Sequence, residues 1–243
     1  MLDSREAGKV QSQFGASTPQ VLRDHAISHF LREIQSLNSE VTFFGGTALS
    51  RTYLTDGRLS EDIDLYSPTR EILSEELDGI PEKIEQEFPQ AIWEVLPSQV
   101  ADPGSALLNC DGAIKINVQV LDSRARNWHK IPTKMTPIHQ RYSDVLQTQL
   151  NVPTYDGFVV MKVLAWYDRK KSRDLFDLDA LSRLGTVSNE ARSVLAELAG
   201  HAISNAMLNI GISDNWSDAL SHQTKLRSTE KECLARLLEW WNE

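Results

Sequence analysis

The 243-residue chain holds only two cysteines, Cys110 and Cys233. They lie far apart and match no metal-ligand spacing, which argues against a disulfide scaffold or a zinc-finger-like module. The expectation is two reduced thiols in a cytoplasmic protein. Long apolar runs are missing as well. The most apolar stretch, residues 158–166, is far shorter than a membrane span and carries Lys162 in its middle. The N-terminal segment is polar and has no apolar core, so no signal peptide is expected. Positive charge is in deficit: 25 Lys and Arg stand against 34 Asp and Glu, a net −9. Such a surface does not attract nucleic acid everywhere, although a local basic groove inside an acidic shell stays compatible. There is no internal repeat and no low-complexity tract.

What is present is the composition of an ordinary globular protein, long enough for one large domain or two modest ones. Residues 19–37 repeat apolar positions at the helical period. Val41 to Phe44 reads as a short buried strand ended by Gly45 and Gly46, with a helix beginning near residue 47. Ile63 and Leu65 mark a second strand, closed by Ser67-Pro68. Residues 70–87 read as a solvated helix and Ile92 to Leu96 as a strand. Residues 97–113 read as a loop or hairpin. Ile114 to Val120 alternates cleanly between apolar and polar residues, the pattern of a half-buried strand. From about residue 136 onward helices are expected: 157–169, 174–184, 189–210 ended by Gly211, and a last one opened by a Thr229–Glu232 capping box. The fold class is therefore α/β (α+β), with residues 1–135 forming a small mixed sheet with flanking helices and residues 136–243 a helical C-terminal domain.

The chemistry concentrates in two neighbouring segments, Gly45-Gly46-Thr47-Ala48-Leu49-Ser50-Arg51 and Arg58-Leu59-Ser60-Glu61-Asp62-Ile63-Asp64-Leu65. On a strand, residues two apart share a face, so Asp62 and Asp64 project together while Ile63 and Leu65 enter the core. Two adjacent carboxylates repel unless a cation lies between them, and Mg²⁺ is the hard, oxygen-seeking ion that fits. A strand ending in Gly-Gly lets the backbone approach a ligand closely, and the Thr47 hydroxyl with the first N–H groups of the next helix can hold a phosphate. A phosphate cradle beside a metal site is what nucleotidyl transfer requires. Alone, Gly-Gly is usually a turn and Asp-x-Asp usually a solvated strand edge. Together they are harder to dismiss, because the acids interrupt an apolar strand.

These two segments resemble the AbiEii/AbiGii nucleotidyltransferases, toxins of abortive-infection and toxin–antitoxin systems within the polymerase-β-like superfamily and related to the MenT toxins. The resemblance returns at Met161-Lys162-Val163-Leu164-Ala165, at Asp168-Arg169 and at Arg173-Asp174-Leu175-Phe176-Asp177-Leu178, so it spans roughly residues 20–185 with three blocks in order. It implies an enzyme that moves an NMP from an NTP, with GTP or CTP as candidate donors, to a tRNA or protein hydroxyl. It also implies a cognate antitoxin and no membrane partner. Asp62 and Asp64 become Mg²⁺ ligands and, with Lys162 and Asp174, catalytic residues. Gly45, Gly46, Thr47, Arg51, Lys162 and Asp177 become nucleotide-binding residues. For Lys162 the structural alternative is a core carboxylate partner, and for Arg173 with Asp174 a structural ion pair.

The sequence departs from the superfamily pattern at one point. A third carboxylate is expected from a later strand, yet the polar face of residues 114–120 offers Lys115, Asn117 and Gln119. Asn117 stands where an acid is expected; Glu94, Asp111 or Asp122 are the possible substitutes. Two rivals follow: a nucleotidyltransferase acting on a small molecule such as an aminoglycoside, and a nucleotide-binding module without catalysis.

Overall fold

The computed structural model describes residues 2–101, 104–122 and 127–242. Two N-terminal helices come first. In α1 (Ser4–Phe14) the Asp3 carboxylate caps the first turn and Gly15 ends the last with φ +69°. α2 (Thr18–Ile34) starts at a Ser17 cap with a proline in its first turn and is lined by Ala26, Ile27, Phe30 and Leu31, all fully buried. Then follow β1 (Thr42–Phe44), α3 (Gly45–Ser50), β2 (Asp62–Tyr66), α4 (Arg70–Asp78), α5 (Ile80–Lys83), β3 (Ile92–Val95), β4 (Ala106–Asn109), β5 (Lys115–Leu121), β6 (Thr133–Ile138) and β7 (Thr148–Pro153). The C-terminal helices are α6 (Tyr155–Arg169), α7 (Ser172–Ser182), α8 (Asn189–Ala199), α9 (Asn205–Leu208), α10 (Trp216–Leu220) and α11 (Glu230–Asn242).

Among the described residues the seven strands form one mixed sheet in the order β3-β4-β5-β2-β1-β7-β6. β1 runs antiparallel to β2 and parallel to β7, and β2 runs parallel to β5. The two central strands are thus the ones that carry Phe44 and the aspartates. Their burial alternates as expected, with Ile63 and Leu65 fully enclosed and Asp62 and Asp64 half-buried.

The switch from sheet to helices falls at Thr154, not at 136. β6 and β7 pair over their full length and β7 joins β1. β6 escapes a sequence reading because it is an edge strand, largely exposed and containing Lys134 and Pro137, the residues that edges tolerate. β7 does alternate, burying Thr148, Leu150 and Val152 with polar Gln149 and Asn151 between them, but a polar residue opens it and Pro153 closes it. The helix expected over 189–210 ends at Ala199, where Gly200 adopts φ +78°. The acidic residues 70–87 break into two short helices with buried Leu73, Leu77 and Ile80. Residues of the sheet and of α6, α7, α8 and α11 share one continuous apolar core.

Candidate active site

The antiparallel register sets Phe44 opposite Asp64. The chain turns into α3 immediately afterwards, so Gly45 arrives against the Asp64 side chain. A β-carbon at Gly45 would stand 1.9 Å from Asp64 Oδ2, and Gly45 itself takes φ +79°. A β-carbon at Gly46 would stand 2.7 Å from Arg58 Nη2 and 3.1 Å from Ser60 Oγ. Both positions require glycine because the Asp64, Arg58 and Ser60 side chains occupy the space. The Thr47 hydroxyl donates to the carbonyl of Asp62, and Thr47 is buried. That hydroxyl locks α3 to β2 and lines neither adjoining cavity, which corrects the expectation of a phosphate contact.

β5 lies on the other side of β2, with Asn117 opposite Asp62 and Gln119 opposite Asp64. Asn117 Nδ2 donates to Asp62 Oδ1 at 3.1 Å. None of the possible third carboxylates reaches this place. Glu94 pairs with Lys115 and Asn109 on the exposed side of the sheet edge. Asp111 caps the turn between β4 and β5, and Asp122 is buried beyond the end of β5.

The facing wall comes from α6 and α7. Lys162 Nζ lies 2.6 Å from Asp177 Oδ2 and 3.5 Å from Asp174 Oδ1. Arg169 grips Asp174 with two hydrogen bonds, at 2.6 and 2.8 Å. Arg58 forks onto Asp177 with two more, both 2.9 Å. Asp174 and Asp177 therefore lie behind the wall, holding cations in place, and neither lines a cavity. Burial would raise both carboxyls, but Lys162 with Arg169 holds Asp174 below the usual carboxylate range, and Arg58 with Lys162 does the same for Asp177. Lys162 pairs with the core acids, as its structural alternative expects, and also lines the open space.

That space has two connected parts that share Gly46, Asp64, Gln119, Lys162 and Arg169. One is polar, about 400 Å³, lined by Arg58, Lys162, Arg169 and Arg173 against Asp62 and Asp64. Four cations line it against Asp62 and Asp64, and Asp174 and Asp177 behind the wall balance Arg58, Lys162 and Arg169. The other is mainly apolar, about 390 Å³, walled by Phe44, Trp128, Ile131, Met161, Leu164 and Leu198. Phe44 and Trp128 stand with ring centroids 4.8 Å apart. The sequence gives no signal for Trp128, Leu198 or Ser105, which reach the cavities from distant segments. Gln119 was visible only as a polar position; Arg173, whose structural alternative was an ion pair with Asp174, lines the polar cavity, and Arg169 grips Asp174.

Asp64 is the strained member of the group. Burial, then the Asp62 charge, push its carboxyl up to about 6, although Lys162, Arg169 and Arg173 pull the other way. Two hard oxygen donors so placed, their mutual repulsion only partly offset by Lys162, Arg169 and Arg173, fit a divalent cation of the magnesium class.

Arg51 does not belong here. Its side chain is fully buried, with Nη2 donating to the Asp24 carboxylate, the Asp24 carbonyl and Ser28 Oγ, each at 2.8 Å. Burial pulls it down to about 10, against the Asp24 charge. The turn after α3 points it into the core, where no phosphate can reach it.

Comparison with known proteins follows the same lines. Residues 29–232 match the family described as the nucleotidyl transferase AbiEii toxin of type IV toxin–antitoxin systems. Among solved structures, the chain is similar to MenT4, a nucleotidyltransferase toxin from Mycobacterium tuberculosis H37Rv, with a TM-score of 0.70 and 17% identity over 97% of this chain and 88% of that one. At that identity the likeness speaks for the fold. No curated protein matches the chain.

Proposed function

The chain belongs to the AbiEii nucleotidyltransferase toxin family, and from that membership we propose that it transfers a nucleoside monophosphate from an NTP to a hydroxyl of tRNA or of a protein. In the transfer, the acceptor oxygen bonds to the α-phosphorus while the bond to the bridging oxygen breaks. Pyrophosphate leaves, and the hydroxyl proton passes to water, because Asn117 cannot accept it. The observation that carries this reading is the Asp62–Asp64 pair facing Arg58, Lys162, Arg169 and Arg173 across one polar cavity.

Asp62 and Asp64 hold Mg²⁺ in this reading, with substrate phosphates and water completing its oxygen shell. The ion, when bound, activates the attacking oxygen and neutralises phosphate charge. Lys162, fixed by Asp174 and Asp177, and Arg169, fixed by Asp174, present pre-oriented positive charge to the triphosphate. Glycine at 45 and 46 lets the phosphates approach the backbone of the first turn of α3. The apolar cavity seats the base against Phe44 and Trp128.

The guanidinium and ammonium groups that line the polar cavity favour a phosphate-bearing RNA acceptor over a cationic small molecule. The toxin acts in the cytoplasm, restrained by a cognate antitoxin. Among the described residues no helix is long and apolar enough to cross a membrane. The test is to incubate each radiolabelled NTP with the protein and total RNA. Label entering RNA or protein upholds transfer. Nucleotide bound with no label transferred overturns it and leaves an inert module.

A further inference from the structure

Away from both cavities, α2 turns His25 and His29, four residues apart, toward Asp144 in the loop between β6 and β7 and Glu87 after α5. None of the four lines the candidate active site. His25 Nε2 lies 3.0 and 3.2 Å from the two Asp144 carboxylate oxygens and 3.2 Å from His29 Nε2. His29 Nε2 lies 3.7 Å from Asp144 Oδ2. One possible ligand atom from each of the four residues falls within 4.8 Å of all the others.

Hydrogen bonding explains only part of this convergence. A neutral imidazole nitrogen either donates or accepts. If His25 Nε2 gives its hydrogen to Asp144, the same hydrogen must also serve His29. If both nitrogens carry hydrogens, the two collide. A cation at the centre satisfies every side. Ligand atoms at about 2.0–2.1 Å from a tetrahedral ion stand about 3.3 Å apart; the edges among His25, His29 and Asp144 are 3.0, 3.2 and 3.7 Å, and the Glu87 oxygen lies within 4.8 Å of all three.

We propose that His25, His29, Glu87 and Asp144 form a structural site for a zinc-class divalent cation, tying α2 to the segment after α5 and to the β6–β7 loop. Two imidazoles select zinc over magnesium. Four protein ligands make the site closed, hence structural and not catalytic. The surroundings suit that role. His25 is 2% exposed, and the rings of Tyr142 and Phe88 flank it at 4.9 and 5.7 Å. Tyr142 is held by its hydroxyl on Asp24. Asp144 lies at the surface and gives the ion a way in.

The experiment strips the full-length protein with a chelator and titrates it with zinc alone, by competition with a chromophoric chelator. One equivalent is expected to bind, and the melting midpoint to rise by roughly 5–10 °C at a hundredfold excess over Kd. His29→Gln and Asp144→Asn should each lose that equivalent and that rise with an unchanged circular dichroism spectrum, while Asp64→Asn keeps both. Cobalt in place of zinc should give the intense visible bands of a tetrahedral ion. Absence of a zinc equivalent in the unaltered protein, binding undiminished in both variants, or an octahedral cobalt spectrum overturns the proposal. The cobalt spectrum decides even if the variants fold poorly.

Discussion

Asp64 occupies the space that a β-carbon on residue 45 would need: that carbon would lie 1.9 Å from Asp64 Oδ2. The glycine and the aspartate are one device, made by the pairing of Phe44 with Asp64 and the turn that follows at once. Gly45→Ala must push the carboxylate aside and also strain a backbone at φ +79°. The expected result is loss of nucleotide transfer with the chain still folded. Gly46→Ala meets Arg58, which Asp177 holds by two hydrogen bonds, so the guanidinium cannot swing clear. A destabilisation of about 1–3 kcal/mol and a raised KM for NTP are expected from urea melts and steady-state kinetics.

Asp64→Ala should lower transfer by roughly a thousandfold or more, the scale of losing a metal's transition-state stabilisation. Radiolabel incorporation measures this, and circular dichroism checks the fold. Transfer at the unaltered rate would remove Asp64 from the chemistry.

The pH dependence of the metal-free protein follows from the same carboxyl. Its value is raised from 3.8 to about 6 in the folded chain. The stability it contributes is complete below about pH 4 and is lost as pH rises through about 6. Asp64→Asn removes that loss. Without divalent metal the variant should exceed the parent by roughly 1–3 kcal/mol near neutral pH and show little gain near pH 4, by urea melts at both. Added Mg²⁺ should restore the parent and leave the variant unmoved.

Arg51 gives the contrary signature. Removing it takes the nearest cation from the Asp24 carboxylate, which is 2% exposed and keeps Tyr142 at 2.9 Å and Arg141 at 3.5 Å. Breaking such a buried pair costs about 3–5 kcal/mol. Arg51→Met should lower Tm by roughly 10 °C while KM for NTP in the folded fraction stays unchanged. A rise in KM without a fall in Tm would return Arg51 to the phosphates.

Strand alternation alone determined that Asp62 and Asp64 share a face and that Ile63 and Leu65 enter the core, because side-chain direction on a strand has a period of two. The glycine pair and the Lys162 helix were equally local signals. Local signals end where a partner lies far along the chain. The sheet continues through β6 and β7 because β7 finds β1, over a hundred residues away. Arg51 and Thr47 turn inward because Asp24 and the Asp62 carbonyl wait there. Asp174 and Asp177 became braces for Lys162, Arg169 and Arg58 only when α6, α7 and the Arg58 loop packed together. Charge must be compensated where it is buried, and which groups meet in the interior is decided by the tertiary structure.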